Sequence, residues 1–496
     1  MKRILAALFE QAACCGERVA LAGPAQNLCY AALASAVEAG AGEFRGRGWN
    51  VIGLLLDNSP AWVVADLAAA HAGITVVPLP AFFSDQQLQH TLIDAGVQAV
   101  ITDRPQRFDS LAAPCVVQRG TVAIADTSLA VLGFEAITAS ARPQAKITYT
   151  SGTTGTPKGV CLSGAAIEAV AIGLLERVGP DAAARHLSLL PLATLLENIG
   201  GVYLPLLAGG ACTLLPGEAV GLRGAAGLDA MRMIAALKDS RASSAILIPQ
   251  MLQALVEHAA VLPEARFLAV GGAPVSHQLL QRAGELGLPV YEGYGLSECA
   301  SVVTLNVPGA HRPGSVGRPL SHAHVRIAAD GELHVRGSLF GGYLHDTGTG
   351  TDTGHDAEFA TGDLGRQDAD GYLYLTGRKK NMFVTAYGRN VAPEWVEREL
   401  TLQPAIAQVA VYGEGRPWNV AVVVPRGDDI GAAIASANRL LPDYAQIRAW
   451  IAADEPFSVA NGQLTGTGRP RREAIWRVYG ERINRMYFTT TELEVI

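Results

Sequence analysis

Thr148-Tyr149-Thr150-Ser151-Gly152-Thr153-Thr154-Gly155-Thr156-Pro157-Lys158-Gly159-Val160 is the stretch whose reading sets the fold of this chain. It gathers six Ser/Thr hydroxyls, three glycines and one lysine between a β-branched lead-in, Ile147 and Thr148, and a small-residue helical pattern over residues 165–176. A Ser/Thr/Gly run of this composition behaves as a flexible linker when nothing else constrains it. A linker has no use for a lone lysine followed by glycine, nor for a strand pattern running straight into it. Glycines let the backbone turn inward, so that N–H groups and hydroxyls converge on an anion. Lys158 adds a point charge suited to phosphate. In the Walker loop, lysine directly follows the last glycine and precedes Ser or Thr; here Thr156 and Pro157 separate Gly155 from Lys158. The stretch reads as a phosphate loop of another kind, set between a strand and a helix.

Outward from the loop, the pattern stays α/β. An alanine-rich helix is predicted over residues 30–45, then a buried strand over 51–56. Ser59 reads as the N-cap of a helix through residues 60–72, with Pro60 at its first position. Residues 74–79 and 99–102 form two further strands. Such strand–helix–strand recurrence predicts a parallel sheet with crossover helices. Residues 199–217 carry no charge before Glu218, yet they include Gly200, Gly201, Pro205, Gly209, Gly210 and Pro216. So many breakers predict a buried helix, turn and strand in place of a membrane span.

Composition narrows the class. A chain of 496 residues exceeds one ordinary domain, and 49% hydrophobic against 17% charged residues describes a filled core. A net charge of −7 argues against a nucleic-acid-coating surface. Seven scattered cysteines without a CxxC pair read as reduced thiols of a cytoplasmic protein. Cys299 reads as packing or pocket lining. The apolar run after Lys2 and Arg3 is broken by Glu10, which predicts an amphipathic helix, not a leader peptide.

The loop, Tyr-Thr-Ser-Gly-Thr-Thr-Gly-Thr-Pro-Lys-Gly-Val, resembles that of the adenylate-forming superfamily. This group includes acyl- and aryl-CoA synthetases, luciferases and peptide-synthetase adenylation domains. Later stretches resemble the same family in order: Gly271-Gly272-Ala273-Pro274, Tyr291-Glu292-Gly293-Tyr294-Gly295-Leu296-Ser297-Glu298, Thr361-Gly362-Asp363, and Gly377-Arg378-Lys379-Lys380-Asn381. The resemblance implies ATP, Mg²⁺ and a carboxylic acid, with coenzyme A or a carrier protein's phosphopantetheine as acceptor. It implies that Thr150, Ser151, Gly152, Thr153, Thr154, Gly155 and Lys158 hold phosphates, and that Gly271 and Gly272 border adenine. Glu292, Gly293, Tyr294 and Gly295 would receive the purine, with Ser297 reaching the α-phosphate and Glu298 ligating Mg²⁺. Asp363 would accept both ribose hydroxyls, and Arg378 would reach ribose or phosphate. A Tyr-Gly pair or an Asp beside Gly alone means little, since such residues commonly only build turns.

The fold implied is a large N-terminal layered α/β domain over residues 1–377 and a small mobile α+β lid over 378–496. Lys380 sits at the hinge, and the loop with Gly388 and Arg389 would enter the site to admit the acceptor thiol. Asn461-Gly462-Gln463-Leu464-Thr465-Gly466-Thr467-Gly468-Arg469 resembles the family's last motif, where a lysine normally contacts the substrate carboxylate. Here that position is Arg469, and no lysine follows Lys380. Arginine keeps the charge but is bulkier and forked. Three readings compete: adenylation sustained by Arg469, slow adenylation in a chiefly thioester-forming enzyme, and a nucleotide-binding homologue with lost catalysis.

Substrate choice rests on the acid pocket, for which Thr194, Leu195, Ile199, Gly200 and Ala273 are the candidates. They are small or apolar, apart from the Thr194 hydroxyl. Thr194 stands where fatty-acid members usually carry a histidine or aromatic gate. No aspartate lies between Leu187 and Ile199, so the ammonium of an amino acid would be buried unpaired. The expectation is a fatty acid with coenzyme A; an aryl acid, or loading of an acyl carrier protein, is the alternative.

Overall fold

The computed structural model describes residues 1–111, 116–134, 144–150, 157–223, 227–273, 275–345, 357–458, 460–465 and 469–488. Within these residues, two large sheets sandwich buried helices. The first has seven strands in the order Val116–Ile124, Thr127–Phe134, Ala99–Thr102, Val51–Leu55, Thr75–Pro78, Lys146–Thr150 and Lys158–Leu162. Its four central pairing strands, from Ala99–Thr102 to Lys146–Thr150, run parallel, as the strand–helix recurrence predicts. Its edges do not. Residues 116–134 form an antiparallel hairpin, turning through Ala125 (φ 48°) and Asp126 (φ 59°). Two left-handed residues make the turn that matches strand twist, and Asp126 is the available sequence signal. The expectation of a purely parallel sheet is corrected accordingly.

The second sheet has nine strands, ordered Arg318–Pro319, Thr304–Leu305, Val290–Tyr294, Phe267–Val270, Ser244–Leu247, Arg185–Ser188, Ala211–Leu214, Val19–Ala22 and Asn27–Cys29. The N-terminal strand Val19–Ala22 thus pairs in parallel with Ala211–Leu214, a neighbour that no local pattern could name. Helix Pro60–Ala72 lies between the two sheets. The Ser59 side chain accepts from Trp62 N–H at its start, and Gly73 (φ 77°) ends it. Trp62, Val63 and Val64 share one core with Ile52 and Ile101 of the first sheet and Leu21 and Leu214 of the second. The breaker-rich stretch folds as a π-helical turn Asn198–Tyr203, a short helix Leu204–Ala208 and the strand Ala211–Leu214.

A four-stranded antiparallel sheet, Ala323–Ile327, Glu332–Gly337, Glu358–Gln367 and Leu373–Arg378, completes the large domain. The small domain has the strands Ile406–Tyr412, Asn419–Pro425 and Ile447–Ala452. Alternation decides which face each residue buries. Val409, Val411, Ala421 and Val423 pack under helices Pro393–Thr401 and Ile430–Asn438. Ala410, Val420, Val422 and Val424 pack under helix Arg472–Phe488. Arg472 joins the two faces, since its Nη2 donates to Glu397 Oε2 at 2.7 Å. No helix of the described residues is long and apolar enough to cross a membrane.

Candidate active site

Parallel strands of an open α/β sheet present their carboxyl ends as a crevice for ligands. Here Leu190, Ile248, Gly271 and Gly295, one or two residues past the ends of the second sheet's strands, line a cavity of about 2530 Å³ whose other side is lined by the small domain. Thr150, Lys158, Gly272, Ala273, Glu292, Gly293, Tyr294, Ser297, Glu298, Asp363, Arg378, Lys380 and Arg469 all open on it. Residues more than 300 positions apart in the sequence therefore converge. Ser151, Gly152, Thr153, Thr154 and Gly155, the middle of the quoted loop, lie outside the described residues.

The order of groups in the cleft is specific. Asp363 receives the Tyr294 hydroxyl on Oδ2 at 2.7 Å and the Arg378 Nε on Oδ1 at 2.7 Å. Arg378 Nη2 also donates to Oδ2, at 3.5 Å, so the lone pair left to accept lies on Oδ1. Tyr294 itself is only 9% exposed and packs with Cys299 and Val303 while lining the cavity. Cys299 is buried, as packing requires. Arg469 donates through Nε to the Gly272 carbonyl at 2.9 Å, and through Nη2 to the same oxygen. Gly272 is left-handed at φ 84°, which turns that carbonyl into the cleft. Gly295 is required for another reason: a Cβ there would meet the Ser301 carbonyl at 1.5 Å.

Cations dominate one wall. Although the Arg469 side chain keeps contact with solvent, its guanidinium is held below the ordinary arginine value, first by desolvation within the cleft and then by the charge of Arg378. Lys380 is lowered likewise, by desolvation, then by Arg378, with Lys158 a smaller contributor. Such mutual repulsion is relieved when an anion enters. Glu292 is different. Burial raises its carboxyl to about 7, while the Val275 N–H it accepts at 3.2 Å pulls the other way. The native state thus keeps a proton that the unfolded chain loses near its ordinary 4.5. Its stabilising contribution is full below about pH 4.5 and fades as pH rises through about 7. Glu292→Gln, which still accepts from Val275, is expected to be more stable than the parent at pH 8 by up to about 3 kcal/mol and equal to it at pH 4.5. Urea unfolding at the two pH values measures this, and equal differences at both would count against it.

Among the described residues no group of three or more His, Cys, Asp or Glu could cage a metal. One carboxylate, Glu298, faces the phosphate-loop side of the cavity, close to Tyr343. That donor set fits Mg²⁺, which keeps its waters and binds through one or two carboxylates plus substrate phosphates.

Behind the cleft a lobe runs under the second sheet. Thr194, Leu195, Gly200 and Ala273 line the cavity, and so do His186, Ser244, Phe267, Ala269, Leu174 and Val178, which sequence reading missed. His186, Ser244 and Phe267 stand at or beside the amino ends of their strands. The lobe's lining residues run along the strand from Ser244 to Ile248, about 13 Å of chain at about 3.3 Å per residue. Ile199 does not line it: it is 0% exposed inside the main core, because the π-helical turn directs Gly200 to the cavity instead. At the lobe's floor, His186 bonds Glu197 Oε1 at 2.9 Å and Ser244 Oγ at 3.0 Å. Gly388 (φ 70°) and Arg389 lie in an exposed hairpin between Val384 and Asn390; they do not line the cavity themselves, whereas the neighbouring Asn390 does.

A family model described as AMP-binding enzyme matches residues 8–344, and one described as AMP-binding enzyme C-terminal domain matches residues 380–491. Long-chain-fatty-acid–CoA ligase FadD15 of Mycobacterium bovis is 35% identical over 246 residues, which are 44% of this chain and 41% of that protein. The match thus spans less than half the length of that relative. Indoleacetate–CoA ligase of Aromatoleum aromaticum is 28% identical over 455 residues, covering 82% of this chain and 85% of its own length. Among solved structures, o-succinylbenzoate CoA synthetase of Bacillus subtilis with its acyl-adenylate intermediate shares the fold. Its TM-score is 0.77 at 22% identity, with 95% of this chain and 97% of that one covered.

Proposed function

The chain belongs to the AMP-binding enzyme family, and we propose that it activates a carboxylic acid with ATP and passes the acyl group to coenzyme A. A carboxylate oxygen of the acid attacks the α-phosphorus of ATP, the bond to the bridging oxygen breaks, and pyrophosphate leaves. The thiol sulfur then attacks the acyl carbon, giving up its proton, and AMP leaves with the bonding pair. Lys158 and the loop before it hold the outer phosphates, and the Ser297 hydroxyl serves the α-phosphate. Asp363 accepts from the ribose hydroxyls, beside Arg378. Glu298 would hold Mg²⁺ bound with the nucleotide, which would supply charge neutralisation at the phosphates. Arg469 is the preorganised cation between the two anions that must meet. The domains divide at residues 377 and 378, and rotation about Lys380 replaces Arg469 with the Gly388 hairpin when the thiol enters.

The acid is a fatty acid. The observation that carries this is the apolar lining by Leu174, Val178, Ile246 and Phe267, which follows about 13 Å of strand from Ile248 back to Ser244. Aryl acids, which the Aromatoleum relative's name implies for that protein, need less of that length. The test is acid-dependent pyrophosphate release across fatty, aryl and amino acids, with and without coenzyme A, repeated on Ala269→Phe. We expect long-chain acids to drive release and coenzyme A to raise AMP formation. The Ala269→Phe substitution, which fills the lobe, should cut long-chain turnover by at least about tenfold and spare short acids. Release with aryl acids alone, unaffected by Ala269→Phe, overturns the fatty-acid reading. AMP formation raised by a carrier protein and not by coenzyme A overturns the acceptor.

A further inference from the structure

Tyr343 belongs to no motif singled out in the sequence, yet it joins the two charged groups on which phosphate chemistry depends. Residues 341–344 lie alongside the strand Lys158–Leu162. Gly341 N donates to Cys161 O at 2.8 Å, Cys161 N to Gly342 O at 3.1 Å, and Leu344 N to Gly159 O at 2.8 Å. The neighbouring Phe340 N donates to the backbone carbonyl of Glu298 at 2.8 Å. One short segment therefore registers the strand leaving the phosphate loop against the turn bearing Glu298.

The side chain repeats this link. The Tyr343 hydroxyl donates to Glu298 Oε1 at 2.8 Å, and the face of its ring lies 5.2 Å from Lys158 Nζ. The ring is held edge-on against Phe340 at 5.0 Å, and Phe340 against Phe359 at 5.3 Å. A phenol locked in this way fixes the carboxylate it donates to. With Oε1 engaged, Oε2 and the remaining lone pair of Oε1 are left for a cation. The ring also offers Lys158 a resting place of the cation–π kind, within reach of the same cleft.

We propose that Tyr343 is the positioning residue of the Mg²⁺–ATP site: its hydroxyl aims the Glu298 carboxylate, and its ring keeps Lys158 beside it until phosphate arrives. This rests on the adenylation reading above. Outer partners of metal-binding carboxylates fix ligand orientation, and their loss typically costs about 10–100-fold in metal affinity or activity.

Tyr343→Phe isolates the hydroxyl, because it keeps the ring, its aromatic contacts and the surface under Lys158. The readouts are the Mg²⁺ concentration giving half-maximal pyrophosphate release, and calorimetric binding of ATP with and without Mg²⁺, which needs no turnover. We expect the half-saturating Mg²⁺ to rise about tenfold and the Mg²⁺-dependent gain in ATP affinity to shrink, with ATP binding in the absence of Mg²⁺ unchanged. In a Glu298→Gln background the same substitution should change little, because the hydroxyl acts through that carboxylate. An unaltered Mg²⁺ response in Tyr343→Phe overturns the proposal, and so does an equal loss in the Glu298→Gln background. If no acid drives release from the parent protein while Tyr343→Phe still blunts the Mg²⁺ gain in ATP binding, the positioning role stands and the ligase reading falls.

Discussion

Arg469→Ala is expected to lower acid-dependent pyrophosphate release by about 10²–10³-fold, the cost of removing one preorganised charge stabiliser at a reacting centre. The guanidinium reaches into the cleft to the Gly272 carbonyl at 2.9 Å, opposite Asp363 and Arg378, where two anions must be brought into contact. Its fork can bridge phosphate and carboxylate together. Arg469→Lys keeps the charge on a slimmer stem and is expected to retain or improve adenylation. Transfer from a supplied acyl-adenylate to coenzyme A should survive Arg469→Ala if, as proposed, the lid turns Arg469 away before the thiol enters. Pyrophosphate release and thioester formation, assayed separately, make the comparison. Release by Arg469→Ala at the parent rate would make the residue a bystander.

Asp66→Ala is expected to destabilise the large domain by about 3–5 kcal/mol, because it strands a buried charge. Asp66 and Lys146 are 1% and 2% exposed and paired. Asp66 also receives the Tyr203 hydroxyl and the Asn198 Nδ2, the latter at 3.3 Å. Burial already pushes the Lys146 ammonium below its ordinary value, and Asp66 is what opposes that. The double variant Asp66→Ala, Lys146→Met removes both charges and should recover a large part of the loss. Urea unfolding of the parent and the two variants decides it; a double variant as unstable as the single would show that the pair's hydrogen bonds, not its charge, matter. The cluster ties helix Pro60–Ala72 to the head of the strand entering the phosphate loop and to the turn that carries Gly200, so function should suffer with it.

Much of the site is legible in the sequence because its parts are local. A glycine-rich loop, a Gly-Gly turn and a Tyr-Gly-x-Ser-Glu run advertise backbone approach and oxygen donors within a dozen residues each. Helix boundaries at Ser59 and Gly73 are legible for the same reason: caps are made by neighbours in sequence. Ile199 reads as pocket lining but packs in the core, because one residue of rotation on a helical turn exchanges the cavity face for the core, and a π-helical turn shifts that phase further. The hairpin over residues 116–134 escapes sequence reading because its turn uses Ala125 and Asp126 without a glycine.

By itself, the sequence determined that this is an α/β chain, and it supplied the candidates for a phosphate loop, a Mg²⁺ carboxylate and an arginine in the last motif, since each is written in a short run of residues. Tertiary structure alone decided the partners. Lys146 lies 80 residues from Asp66, Tyr343 lies 45 from Glu298, and Arg469 lies 197 from Gly272. Neither these pairings nor the lining of the lobe leaves a local trace. Each depends on which strands lie side by side, and the energy of burying the whole core selects that order, not the propensity of any one segment.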